Sequence, residues 1–124
     1  MMYAILCYHE EDVVCAWSQE EDQAVMAKLA VVQERLTKAG KMGASLRLLP
    51  TTAATTLRKT EDPPLVLDGP FAETKEQLLG FYLVDADDLE DVLSIARDLA
   101  AANPGGAYEI RPVGAFFPDR RAAP

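Results

Sequence analysis

The sequence predicts a single α+β domain in which two helices cross back over one face of a mainly antiparallel sheet. Three observations carry this reading. The chain has 124 residues, 49% of them hydrophobic, enough for one domain with its own core and no need of metal or disulfide staples. Segments of continuous or alternating apolar residues are interleaved with two segments whose apolar residues recur at steps of three and four. Their order is strand, helix, two or three strands, then strand, helix, strand, which is a pair of crossover units.

Met2–Tyr8 is apolar or aromatic on both alternating faces, as suits a strand in mid-sheet. A polar loop is expected from His9 to about Trp17. Ser18 with Glu21 then forms a Ser-x-x-Glu capping box, and Val25, Leu29, Val32 and Leu36 share one helical face. Gly40 supplies the left-handed stop. Met42, Ala44, Leu46 and Leu48 alternate with Gly43, Ser45, Arg47 and Leu49, and Ala54–Thr60 beyond Pro50 is rich in threonine, so a hairpin of these two strands is the economical reading. Glu61-Asp62-Pro63-Pro64 breaks the chain before a short strand, Leu65–Leu67, that ends at Asp68-Gly69-Pro70. A polar stretch, Ala72–Gln77, leads to a strand at Leu78–Val84 in which Gly80 marks a close approach or a bulge. Asp87 or Asp88 caps a second helix with Leu89, Val92 or Leu93, Ala96 and Leu99 on its buried face, and Asn103-Pro104-Gly105-Gly106 stops it. Tyr108–Val113 is the last strand, with Pro112 at a sheet edge or terminus.

These elements make a split βαβ, ferredoxin-like arrangement with both helices on one sheet face. The other face would be left bare. Ile5, Cys7, Phe81, Leu83 and Ile110 are too apolar, with their neighbours, for that face to stay wet. A second copy of the sheet would cover it, so a homodimer is expected. The domain should span residues 1–114 and leave 115–124 as a tail without regular structure, although Phe116 and Phe117 should pack against something.

Twelve basic and twenty acidic residues give a net charge of −8, and no basic run interrupts the acidic surface, which argues against direct nucleic-acid binding. The longest apolar run falls far short of the ~20 residues of a membrane span. Met1–His9 lacks the basic-then-apolar design of a signal peptide. Two cysteines are too few for a disulfide framework, and a reducing cytoplasm is the expected setting.

The string Asp68-Gly69-Pro70-Phe71-Ala72-Glu73-Thr74-Lys75-Glu76-Gln77-Leu78, followed by Gly80-Phe81-Tyr82, resembles the signature of the DGPF proteins, which belong to the YCII-related family. Met2-Tyr3-Ala4-Ile5-Leu6, Thr55-Thr56-Leu57-Arg58 and Glu109-Ile110-Arg111-Pro112-Val113 support the resemblance, which covers residues 2 to 114. The resemblance implies a ferredoxin-like fold and a dimeric α+β barrel. It includes proteins proposed to be enzymes with a His–Asp pair, a relative that dechlorinates an aromatic compound, and members linked to extracytoplasmic-function sigma factors. The chain departs from the enzymatic pattern: its only histidine, His9, ends the first strand, whereas the histidine of that pair is expected near the first helix. The dyad is therefore not carried over.

Asp68 at a strand end is the candidate acid or base, although a tight turn with glycine at positive φ also accounts for Asp68-Gly69-Pro70. Phe71, Glu73, Lys75 and Arg111 are the candidate ligand-binding residues. Lys75 within reach of Asp68 or Glu73 suits an anionic ligand, against a solvated mixed-charge loop. Arg111 forms either an ion pair with Glu109 or a fork for a ligand carboxylate. Cys7, His9 and Cys15 lack the spacing and the fourth ligand of a zinc site, and Asp85-Ala86-Asp87-Asp88 has the composition of a helix N-terminus. No cofactor or metal is expected. Two functions stay open: a small-molecule binding protein or enzyme with its pocket near Asp68–Phe71, and a protein-interaction module accessory to transcriptional signalling.

Overall fold

A computed structural model describes residues 1–117 of the chain. The strands are β1 (Met2–His9), β2 (Met42–Arg47), β3 (Thr55–Arg58), β4 (Leu65–Asp68), β5 (Gln77–Asp85) and β6 (Ala107–Pro112); the helices are α1 (Glu11–Cys15), α2 (Gln19–Lys38) and α3 (Leu89–Ala102). β2, β5, β1 and β6 form one sheet in that order, and β3 pairs with β4 in a separate two-stranded sheet. Every pairing is antiparallel. The protein is a mixed α+β domain.

Local chemistry explains most boundaries. The Ser18 hydroxyl accepts from the Glu21 N–H at 3.1 Å while the Glu21 carboxylate accepts from the Ser18 N–H at 3.3 Å, so the capping box forms as expected. At the other end of α2, Lys41 N–H donates to Leu36 C=O and Gly40 N–H to Thr37 C=O. This is a Schellman closure with Gly40 at φ +73°. Asp88 caps α3 by accepting from the Asp91 N–H at 2.8 Å. β1 lies between β5 and β6, which is why its sequence is apolar on both faces.

The core forms where α2 and α3 cover one sheet face. Tyr3, Ile5, Tyr82 and Val84 from the sheet meet Leu29 and Leu36 from α2 and Val92, Ile95, Ala96 and Leu99 from α3, all buried. Lys41 Nζ to Asp91 at 2.8 Å ties the start of β2 to α3, and Arg35 to Asp98 at 3.0 Å ties the two helices together.

Three expectations change. The loop after β1 holds a short helix, α1. The predicted hairpin of β2 with the Thr55 segment is not formed: β2 pairs with β5 instead. Glycine decides this, because a Cβ on Gly80 would lie 2.2 Å from the Leu46 carbonyl, so only a residue without one lets β2 approach there. Released from β2, β3 folds back on β4 as an arm. The apolar set assigned to one open face also divides between two. Ile5 opposes Tyr82 and Ile110 on the helix side, and Cys7 is two residues from Ile5; Phe81 and Leu83 alternate with Tyr82 and Val84 and point the other way. Neither α2 nor α3 covers that second face, whose Ala4, Leu6, Phe81 and Leu83 stay only half-buried. Phe116 and Phe117 are 52% and 71% exposed, and residues 118–124 lie outside the described residues.

Candidate functional site

The helix-facing rows of the two central strands taper toward one end. Along β1 the row runs Tyr3, Ile5, Cys7, and along β5 it runs Val84, Tyr82, Gly80, with Cys7 opposite Gly80. Ser45 of β2 opposes Tyr82. Small side chains thus replace bulky ones beneath the first half of α2, and a cavity of 310 Å³ opens there. Val14 of α1, Trp17, and Val25, Met26 and Leu29 of α2 form its apolar wall. Its polar groups come from β1 (Cys7, Tyr8, His9), α2 (Gln33), β2 (Ser45), β5 (Tyr82), the α3–β6 turn (Asn103) and β6 (Tyr108), and from an ion pair at the α2–β2 side, where Arg47 donates to both oxygens of Asp22 at 2.9 and 3.3 Å. Predominantly apolar walls with a few convergent polar groups are the usual composition of a small-molecule pocket.

The floor is electrically neutral. Burial pushes the Cys7 thiol up to about 12 and raises both the Tyr82 and Tyr108 phenols. The two rings meet edge to face with centroids 6.4 Å apart, and the Asn103 amide donates to the Tyr108 oxygen at 3.4 Å, which opposes part of the upward shift at Tyr108. Tyr82, Tyr108 and Cys7 therefore stay protonated at neutral pH and carry no charge; the Cys7 thiol donates to the Ile5 carbonyl at 3.7 Å.

His9 is held by an unusual backbone. Gly105 and Gly106 both have positive φ, +85° and +77°. A Cβ on Gly105 would lie 2.5 Å from the imidazole Nε2, and one on Gly106 would lie 2.1 Å from the Tyr8 carbonyl. The turn read from sequence as a helix stop is also a seat for the imidazole.

The residues singled out from sequence lie elsewhere. Asp68 ends β4, exposed. Its neighbours make the expected turn: Gly69 has φ +105°, its N–H donates to Ala54 C=O at 2.8 Å, and its C=O accepts from the Thr56 hydroxyl at 2.8 Å. Phe71 is 73% exposed, with the Arg58 guanidinium 5.2 Å from its ring centre. Glu73 is exposed. Lys75 Nζ lies 3.9 Å from Glu10 rather than against Asp68 or Glu73. Arg111 opposes Ala4 on the sheet face away from the helices and makes no ion pair with Glu109 among the described residues. None of the five lines the cavity. Cys7 and His9 do, without Cys15, and the described residues hold no group of three or more metal-ligating side chains.

Sequence reasoning missed Trp17, Asp22, Arg47, Asn103, Tyr82 and Tyr108 as a set. The available signal was the run of small residues, Cys7, Ser45 and Gly80, on strand faces otherwise filled with large ones.

The sequence profile of the YCII-related domain matches residues 1–116. An uncharacterized protein of Rhizobium meliloti (strain 1021) is 56% identical over 119 residues, which cover 95% of this chain and 96% of that protein. With a match over nearly its whole length, the chain belongs to the YCII-related family.

Proposed function

We propose that this protein binds a small, largely apolar molecule in the cavity between α2 and the sheet. The observation that carries the reading is the cavity itself: 310 Å³, walled by Trp17, Val25 and Leu29 and floored by neutral polar groups. In this reading the domain is ferredoxin-like, since β2-β5-β1-β6 is the strand order that two crossover units produce. It works as a homodimer that covers Phe81, Leu83 and their neighbours. Free Cys7 and Cys15 suit a reducing, cytoplasmic setting.

Trp17 is the chain's single tryptophan, so a ligand entering the cavity reports itself in intrinsic fluorescence. Titration of a metabolite panel rich in aromatic compounds should quench or shift Trp17 emission, and Leu29→Phe, which intrudes on the cavity without adding a second tryptophan, should weaken or abolish binding of each hit; thermal unfolding of this variant checks that it remains folded. A panel without any response would sink the reading. Asp68→Asn tested alongside decides whether the ligand also reaches the motif residues Asp68, Phe71, Glu73, Lys75 and Arg111. Affinity weakened there extends the site to the arm; unchanged affinity confines it to the cavity.

A second reading rests on the β3–β4 arm. Leu57, Leu65, Val66, Leu67 and Phe71 are all exposed along about fifteen residues, an apolar run that suits protein contact. Through the family association, the partner in that reading belongs to extracytoplasmic-function sigma factor signalling. Its test is the oligomeric state by sedimentation, for the chain alone and for Val66→Asp with Phe71→Asp. A monomer in both cases leaves the arm to a different protein, whereas a dimer lost in the variant assigns the arm to self-association.

A further inference from the structure

We infer that His9 is the proton-accepting group of the cavity, and that the ligand it serves is an aromatic ring carrying a weakly acidic hydroxyl. The inference deepens the small-molecule reading above and rests on it. Three observations carry it.

The first is availability. His9 is half-buried at the cavity and makes no hydrogen bond among the described residues, so neither ring nitrogen is committed. Apart from the Tyr8 phenol, each of the cavity's other ionisable groups is spent or silent. Asp22 and Arg47 hold each other through two hydrogen bonds, and the buried Cys7, Tyr82 and Tyr108 keep their protons. Among the neighbouring charges, Glu10 follows His9 directly and has Lys75 Nζ 3.9 Å away. Glu11 accepts from the Thr51 N–H at 3.0 Å and from the Thr51 hydroxyl.

The second is positioning. The left-handed Gly105–Gly106 turn brings backbone against the imidazole where any side chain on Gly105 would overlap Nε2. Gly106 answers first to the Tyr8 carbonyl, 2.1 Å from where its Cβ would lie, so Gly105 is the one that bears chiefly on the imidazole, and a side chain there would displace the ring.

The third is the chemistry of the walls. Trp17, Val25 and Met26 offer area to an apolar ring, and neutral polar groups on the floor suit a second polar substituent. Histidine then takes the hydroxyl proton. The O–H bond breaks, an N–H bond forms on the imidazole, and phenolate and imidazolium remain as a pair with no other reactant.

The probes are para-nitrophenol, whose phenolate absorbs visible light, and para-nitroanisole, which has the same shape and no acidic proton. Trp17 quenching measures binding of each, and visible absorbance measures ionisation of the bound phenol. Wild type should prefer the phenol by about tenfold and raise its ionised fraction at a pH below the free phenol's midpoint. His9→Ala should remove both the preference and the ionisation while keeping its affinity for para-nitroanisole. Gly105→Ala should do the same by displacing the ring, and should add nothing in the His9→Ala background; that non-additivity separates positioning from loss of fold. Equal affinities for both probes in wild type and His9→Ala overturn the His9 assignment and leave the cavity reading intact. No quenching by either probe overturns the phenol assignment, and the cavity reading falls with it only where the wider metabolite panel is silent too.

Discussion

The cavity and the β3–β4 arm distribute their chemistry in opposite ways. The arm carries a continuous string of polar and aromatic residues, Asp68 to Lys75, read at a glance from sequence, yet every residue of β4 is exposed and the arm's contacts are those of a turn. The cavity has no string at all. Its lining comes from β1, α1, α2, β2, β5, the α3–β6 turn and β6, segments that only the sheet brings together. A conspicuous motif thus marks a precise local conformation, whereas a pocket marks a place where packing has been left incomplete. The two need not coincide.

The contrast can be broken most directly through stability. Leu29 is 4% exposed at the cavity wall, whereas Leu67 on the arm is 41% exposed. Leu29→Ala should lower the unfolding free energy by about 2–5 kcal/mol, and Leu67→Ala by no more than about 0.5 kcal/mol, both by urea denaturation. A large loss at Leu67 at high protein concentration that vanishes on dilution would show that the arm is covered in an assembly, and would erase the distinction.

A smaller effect sharpens it on the scaffold side. The Lys41–Asp91 pair joins β2 to α3, and its bonds hold the Asp91 carboxyl below the ordinary aspartate value of 3.8 while raising the Lys41 ammonium above 10.5, each through their mutual hydrogen bond first. A depressed acid stabilises above its unfolded value, and the contribution is lost as pH falls through the folded one. A raised base stabilises below its unfolded value, and the contribution is lost as pH rises through the folded one. Asp91→Asn should therefore lower stability at neutral pH and flatten both the acid and the alkaline limb of stability against pH, as followed by thermal midpoint.

The smallest effect belongs to the arm itself. The Arg58–Phe71 contact is exposed, so Phe71→Ala should cost less than about 1 kcal/mol. A larger loss would mean that Phe71 is buried against something in solution.

How far the sequence reached follows from the range of the forces involved. Ser18 with Glu21, Gly40, Asp88 and Gly69 were legible because a cap or a turn is settled by residues within four positions of each other. The central place of β1 was legible because burial on two faces leaves no polar alternation. Gly80 was read as a bulge or a close approach, and it is both: the register with β1 slips between Cys7 and Tyr8, and β2 passes against its bare Cα.

Strand partnership was another matter. An alternating apolar strand followed by a threonine-rich one makes a plausible hairpin, and nothing local forbids β2 from pairing with β3. The choice of β5 depends on space at Gly80 some thirty residues away. The assignment of Ile5 and Phe81 to a single open face failed for a related reason, since a face is defined by register and one residue of slip inverts it.

By itself, then, the sequence determined the two long helices, their caps, the turn of the Asp68 motif and the family to which the chain belongs, because each is written in contiguous residues. Only the tertiary structure decided which strands pair, which face is left open, and where a cavity forms. Those depend on side-chain volumes summed across distant segments: Cys7, Ser45 and Gly80 are small wherever they stand, but they make a cavity only once the sheet sets them side by side beneath α2.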